Sequence, residues 1–177
     1  MKGKGVFLAT TSLAIQDEGC ADVACTTISA TEWDAFRLLG RAGYTIVLLT
    51  PERTAVYAEP QIGQRGGHVG LQMTLASTYR RRDLNNRSAP LFQATAALDI
   101  DLAQSWTVSD RLDTIEVGRM VGCKTVFLTN GSETGWEMTA MRWPDLIAGD
   151  MWEIACLIVL SDGAYVERLT EEHDSDE

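Results

Sequence analysis

Side chains able to handle a charged or phosphorylated group gather at a few places in the 177-residue chain. Thr10, Thr11 and Ser12 follow an apolar run and set hydroxyls side by side, next to backbone N–H groups that can cradle an anion. The same residues equally suit a polar turn that satisfies its own backbone. Asp110 and Asp113 come directly after Trp106-Thr107-Val108-Ser109. Carboxylates so placed suit a hard cation, and either one suits the cap of a helix that starts near residue 112. Thr50 ends another apolar run, Arg87 offers a cation, and Asp17 and Glu18 are further acids. The stretch with Gly63, Gly66, Gly67 and Gly70 lacks the lysine and the spacing of a phosphate loop, so it reads as a connection, with His68 at a surface or helix start. Arg80-Arg81-Arg82 reads as a solvated loop, with an acidic partner or a phosphate as the alternative.

The elements that would position these groups follow from periodicity. Residues 5–9 form a short buried strand. Residues 31–43 form a helix: Thr31 can cap it, Glu32 and Asp34 complement its N-terminus, Trp33, Phe36, Leu38 and Leu39 give an apolar face, and Gly43 ends it. Tyr44 to Thr50 is continuous and rich in β-branched residues, a strand buried on both faces and stopped by Pro51. Residues 66–79 carry a weak helical pattern through Val69, Leu71, Met73 and Leu75, and residues 80–89 form a polar loop. A helix over 90–98 has Pro90 in its first turn. A strand over 106–108, a helix over 112–121, a strand over 124–129 and a turn at Asn130-Gly131 follow. Residues 145–148 form the last strand, and Asp150 caps the last helix. This alternation predicts an α/β fold, a three-layer Rossmann-like parallel sheet with helices on both faces. Binding groups in such sheets collect at the carboxyl ends of the strands, here the loops 9–13, 50–54 and 109–113.

Totals exclude several classes. The formal charge of −10, from 25 acidic and 15 basic residues, repels phosphate backbones and argues against nucleic-acid binding. No apolar run reaches the roughly 18 residues of a membrane span, and the apolar stretch after Lys2 and Lys4 is too short for a signal peptide. Cys20, Cys25, Cys123 and Cys156 have no zinc-finger spacing and read as reduced, buried thiols of a cytoplasmic protein. Residues 1–165 are expected to be one domain, and 166–177 an acidic, flexible tail. Trp136, Trp143 and Trp152, with Met138, Met141 and Met151, mark either a protein interface or packing beneath the last helix.

The order of Val6-Phe7-Leu8, Ala42-Gly43-Tyr44 leading to Leu48-Leu49-Thr50, Val108-Ser109-Asp110-Arg111 and Val121-Gly122-Cys123-Lys124-Thr125-Val126 resembles the haloacid-dehalogenase-like superfamily. Within it, the resemblance is to the small histidinol-phosphate and heptose-bisphosphate phosphatases, over residues 5 to about 160. It implies little or no cap domain. It also implies an aspartate nucleophile and, two residues on, an aspartate acid–base, where this chain has Ala9 and Thr11. Alanine cannot attack phosphorus, and threonine cannot shuttle a proton at neutral pH. The family's lysine falls at Asn85 or Ser88, with Arg87 as a nearby cation, and its zinc loop has no Cys or His between residues 79 and 88. Of the paired metal acids Asp110 remains, while Thr114 stands at the second position and Asp113 one residue early.

The expectation is therefore a phosphatase homologue without family catalysis. It would act in binding or assembly, as a homo-oligomer or a subunit of a complex, with no catalytic residue and no cofactor. Its ligand-binding residues would be Thr10, Thr11, Ser12, Thr50, Arg87 and Asp110. The alternatives are a divergent hydrolase of a small phosphomonoester, using Mg²⁺ at Asp110 and Asp113, or a sensor of a phosphorylated small molecule.

Overall fold

Alternation of apolar side chains along the strands decides which helices cover each face of the sheet. The computed structural model describes residues 2–9, 28–51, 73–78, 88–130, 133 and 137–163, and for 50, 51, 73–78 and 90 it describes the backbone. In chain order the elements are β1 (Lys4–Ala9), α1 (Ala30–Arg41), β2 (Tyr44–Pro51), β3 (Met73–Thr78), α2 (Ala89–Leu98), β4 (Trp106–Ser109), α3 (Leu112–Met120), β5 (Lys124–Leu128), β6 (Leu146–Ala148) and α4 (Met151–Ser161). Val6, Leu8, Ile46, Leu48, Val108 and Val126 turn to one face and pack on α1 and α4. Phe7, Val47 and Leu49 turn to the other face, against Leu91 and Ala94 of α2 and Val117 of α3. Phe127 joins Leu112 and Ile115 of α3 in a smaller cluster on that side. A strand with side chains buried on both faces needs an unbroken apolar run, and β1, β2 and β5 supply one.

The sheet has six parallel strands in the order β3-β2-β1-β4-β5-β6. The chain moves outward from β1 to β3, then starts again on the other side of β1 with β4. Strand order therefore reverses between β1 and β4, where doubly wound sheets leave a crevice at the carboxyl ends. Register places Ala9 opposite Leu49, Leu8 opposite Val108, and Ser109 opposite Phe127.

Two expectations are corrected. Helix α1 is capped by Ser29, not Thr31: Ser29 Oγ accepts from Glu32 N at 3.3 Å while Glu32 Oε2 accepts from Ser29 N at 2.7 Å. This reciprocal capping box explains how a carboxylate stays buried at position 32. Met73–Thr78 is a strand on the sheet edge, where a helix over 66–79 was expected. The apolar residues Val69, Leu71, Met73 and Leu75 recur every second position, which is strand period. Residues 66–72, His68 included, lie outside the described residues, as do Arg80–Arg82 and the acidic tail.

Two contacts fix the layers. Gly118 of α3 sits so close to β4 that a Cβ there would lie 2.6 Å from Thr107 Cβ and Oγ1. At the amino-terminal edge of the sheet, Asp162 follows α4 and gathers Lys124 Nζ at 2.6 Å, Lys4 Nζ at 3.8 Å and the Tyr44 hydroxyl, which donates to it. Lys4 also lies over the Tyr44 ring and Lys124 over the Trp106 ring. Burial alone would raise the Asp162 carboxyl; hydrogen bonds from Lys124 and Tyr44, and the charges of both lysines, outweigh it and hold the group below its ordinary value. Burial and the same carboxylate push the Tyr44 phenol well above its ordinary range.

Candidate functional site

The carboxyl ends of β1, β2, β4 and β5 converge at the point where strand order reverses, and each delivers a different residue type. β1 ends in Ala9, whose methyl group offers neither donor nor acceptor. β2 runs through Thr50 to Pro51, one residue beyond the expected stop. β4 ends in Ser109, and Asp110 follows it buried, 2% exposed. β5 ends in Leu128, and two residues later Asn130 Nδ2 donates to Asp110 Oδ2 at 3.2 Å. A carboxylate so enclosed needs such donors to remain in place.

Asp110 and Asp113 were expected to share either a cation site or the cap of α3. The structure gives the cap to neither. The N-cap residue is Arg111, without a side-chain cap of its own, and Leu112 N donates to Glu133 Oε2 at 2.8 Å. Asp113 instead accepts from Arg111, Nε to Oδ1 at 3.2 Å and Nη2 to Oδ2 at 3.4 Å, with Thr114 Oγ1 at 3.5 Å. Arg111 N donates to Ser109 Oγ at 3.1 Å and so fixes the turn. The guanidinium is pushed up mainly by its hydrogen bond to Asp113 and by that residue's charge, with Glu133 and Asp110 adding to it and burial opposing. Arg111 thus faces Asp110, Asp113 and Glu133, and the described part of the site is net acidic.

Thr10, Thr11, Ser12 and Arg87 lie outside the described residues, with Asp17 and Glu18, and Thr50 is described in its backbone alone. What the structure brings together is Ala9, Ser109, Asp110, Arg111, Asp113, Asn130 and Glu133. Asn130 and Glu133 were not expected there. Asn130 reads locally as a turn residue, and no spacing announces that Glu133 reaches the first N–H of α3.

A model of the family described as HAD-hydrolase-like matches residues 87–154. Solved structures match over nearly the whole chain. A D,D-heptose 1,7-bisphosphate phosphatase from B. bronchiseptica, solved with magnesium and phosphate, superposes with a TM-score of 0.63 at 17% identity, covering 89% of this chain and 99% of that one. The fold is haloacid-dehalogenase-like. An uncharacterized protein from Listeria monocytogenes serotype 4b aligns as well, with a TM-score of 0.63 at 11% identity over 89% of this chain and 97% of the other. The cobalt-bound deoxy-D-mannose-octulosonate 8-phosphate phosphatase of Haemophilus influenzae gives 0.59 at 12% identity, covering 92% and 90%. Comparison of the sequence with curated proteins gives no match.

In the haloacid-dehalogenase-like fold the end of β1 is the position to which the resemblance assigns the nucleophile, and here it is Ala9. Among the described residues the donor set also fits Mg²⁺ poorly. Magnesium demands an octahedron of oxygens, commonly one or two carboxylates with substrate phosphates and water. Asp110 is bonded by Asn130, Asp113 is paired with Arg111, Glu133 holds the first N–H of α3, and Ala9 contributes no side-chain oxygen. Among the described residues no group of three or more His, Cys, Asp or Glu side chains forms a metal site. Among the described residues, too, no helix is long and apolar enough to cross a membrane.

Proposed function

We propose that this protein uses a haloacid-dehalogenase-like phosphatase scaffold for binding or assembly and does not carry out the family's phosphoryl transfer. The observation that carries the reading is Ala9 at the carboxyl end of the strand flanked by β2 and β4. A covalent nucleophile cannot be replaced by a methyl group, and losing one costs several orders of magnitude in rate. The surrounding electrostatics support it. A phosphate needs positive charge, and Arg111 already answers to Asp113.

A second reading is favoured by Asp110, which stays buried and held at the end of β4. On that reading the chain is a divergent hydrolase of a small phosphomonoester, in keeping with what its structural neighbours are named for. The assay that separates the two uses p-nitrophenyl phosphate and a panel of sugar phosphates with Mg²⁺. The binding reading expects no turnover above buffer. A Mg²⁺-dependent rate that Asp110→Asn abolishes overturns it in favour of the hydrolase. Thermal shift against the same panel then separates a sensor of phosphorylated ligands from an assembly role, because a ligand at about 100 times its Kd stabilises by about 2.7 kcal/mol.

A further inference from the structure

We propose that the groove between α1 and α4 binds a free nucleoside monophosphate, with the base on the indole of Trp152 and the phosphate on Arg41 and Arg37. The groove encloses about 370 Å³ and is lined by Thr31, Asp34, Arg37, Leu38 and Arg41 of α1 and by Trp152 of α4. That volume falls within the roughly 300–1,000 Å³ usual for small-molecule sites. Ala35, Phe36 and Leu39 turn the inner face of α1 to the core, so the lining residues belong to its outer side. Thr31, Asp34, Leu38 and Arg41 recur three, four and three residues apart, which places them on one stripe of the helix. Ala9 and Asp110, by contrast, stand at the strand ends.

The lining combines groups that one ligand class answers together. Trp152 is 46% exposed although Met151 and Ile154 beside it are buried, and half-buried Leu38 adds an apolar floor. Among the described residues Arg41 has no hydrogen-bonding or ion-pair partner, so its guanidinium fork is open to an anion. Arg37 Nη1 donates to Asp34 Oδ1 at 2.8 Å, but both side chains are about 60% exposed, and a pair so wet holds its partners weakly. The groove therefore sets two guanidiniums against one carboxylate, on a chain whose formal charge is −10. Asp150 and Glu153, the acids next to Trp152, are committed to the start of α4. Asp150 Oδ1 accepts from Glu153 N at 2.8 Å, and Glu153 Oε2 accepts from Gly149 N at 2.7 Å.

Other small ligands leave part of this lining unused. A bare anion would leave the indole and Leu38 in water. A neutral sugar would stack on Trp152 and leave Arg41 unanswered. An aromatic carboxylate brings no hydroxyl for Asp34. A nucleoside monophosphate supplies a flat ring for Trp152, ribose hydroxyls that donate to Asp34 and share with Thr31, and a dianion for the two arginines. A 5′-phosphorylated oligonucleotide carries the same end group, but its further phosphates meet the negative charge of the rest of the chain.

Isothermal titration of the full chain with adenosine 5′-monophosphate, read beside tryptophan fluorescence, is the test. One-to-one binding with quenching is expected, weakening as salt is raised. Adenosine alone and inorganic phosphate alone are expected to bind at least about tenfold more weakly. Trp152→Leu should weaken binding about tenfold or more and remove the quenching, and Arg41→Gln should weaken it with less salt dependence. Trp143→Leu, exposed outside the groove, should leave binding unchanged. Circular dichroism and urea midpoints confirm that the variants fold. Absence of binding at millimolar nucleotide, equal binding of adenosine, or binding undiminished in both groove variants overturns the proposal. Tighter binding of a 5′-phosphorylated oligonucleotide overturns the free nucleotide as the ligand. The reading of Ala9 is tested separately: failure of nucleotide binding leaves it standing, and phosphatase turnover leaves the groove standing.

Discussion

Gly118 shows how a single atom sets the distance between layers. Helix propensity favours alanine over glycine by about 1 kcal/mol in a helix interior. Here the added Cβ would lie 2.6 Å from Thr107 Cβ and Oγ1, and Thr107 is itself fully buried in β4. Crowding of this kind typically costs about 1–3 kcal/mol. The steric term wins, so Gly118→Ala is expected to destabilise, and denaturant unfolding should show a lower midpoint at unchanged slope. An unchanged or higher midpoint would show that α3 can retreat from β4 freely. Cys123, near the same contact, is a structural thiol: burial pushes it up to about 11, with the neighbouring Thr107 side chain working the other way. Very little of it is thiolate at neutral pH, so it is a poor nucleophile.

At the scale of the element, α1 starts where two side chains each satisfy the other's backbone. Ser29→Ala removes the acceptor for Glu32 N and loosens the buried Glu32 carboxylate. A loss of about 1 kcal/mol is expected from thermal or chemical melts. Thr31→Ala, at an exposed position in the same turn, should cost much less, and an equal cost for both would dispose of the capping box. The signature Ser29-x-x-Glu32 was legible in the sequence, yet Thr31 competes for it because both hydroxyls precede the same apolar face. The edge strand β3 was legible in a similar way, through apolar residues two apart, but four positions cannot separate period 2 from a ragged helix. The other strands and helices were plain because each couples an apolar run to a turn or cap. The site was legible only along β1 and β4. Ala9 and Asp110 sit at strand ends that periodicity locates, whereas Asn130 and Glu133 arrive from a connection whose path depends on tertiary packing.

At the scale of the molecule, one cluster joins the starts of β1, β2 and β5 to the end of α4, and its protonation should shape stability at both ends of the pH range. Asp162, with its side chain 8% exposed, is held below its ordinary value by Lys124, Tyr44 and Lys4. A carboxyl depressed in the folded state stabilises fully above its unfolded value, about 3.9 for aspartate, and that contribution is lost as pH falls through the lower folded value. Tyr44 behaves in the opposite sense. Its phenol is raised in the folded state, so its contribution is complete below the unfolded value of about 10 and is lost as pH rises beyond it. The stability profile of the wild type should therefore be flat near neutrality and fall on both sides. Asp162→Asn is expected to lose about 1–3 kcal/mol at neutral pH, because it removes the negative charge that two lysines face and one of the two oxygens that accept from Lys124 and Tyr44, and to flatten the acid limb. Tyr44→Phe should cost about 1 kcal/mol at neutral pH and shallow the alkaline limb. Urea unfolding across the pH range separates the limbs. If Asp162→Asn retained the full acid limb, the acid sensitivity would belong to another carboxylate, and Asp145, also held low against burial by Thr125 and Arg119, is the residue whose substitution should then remove it.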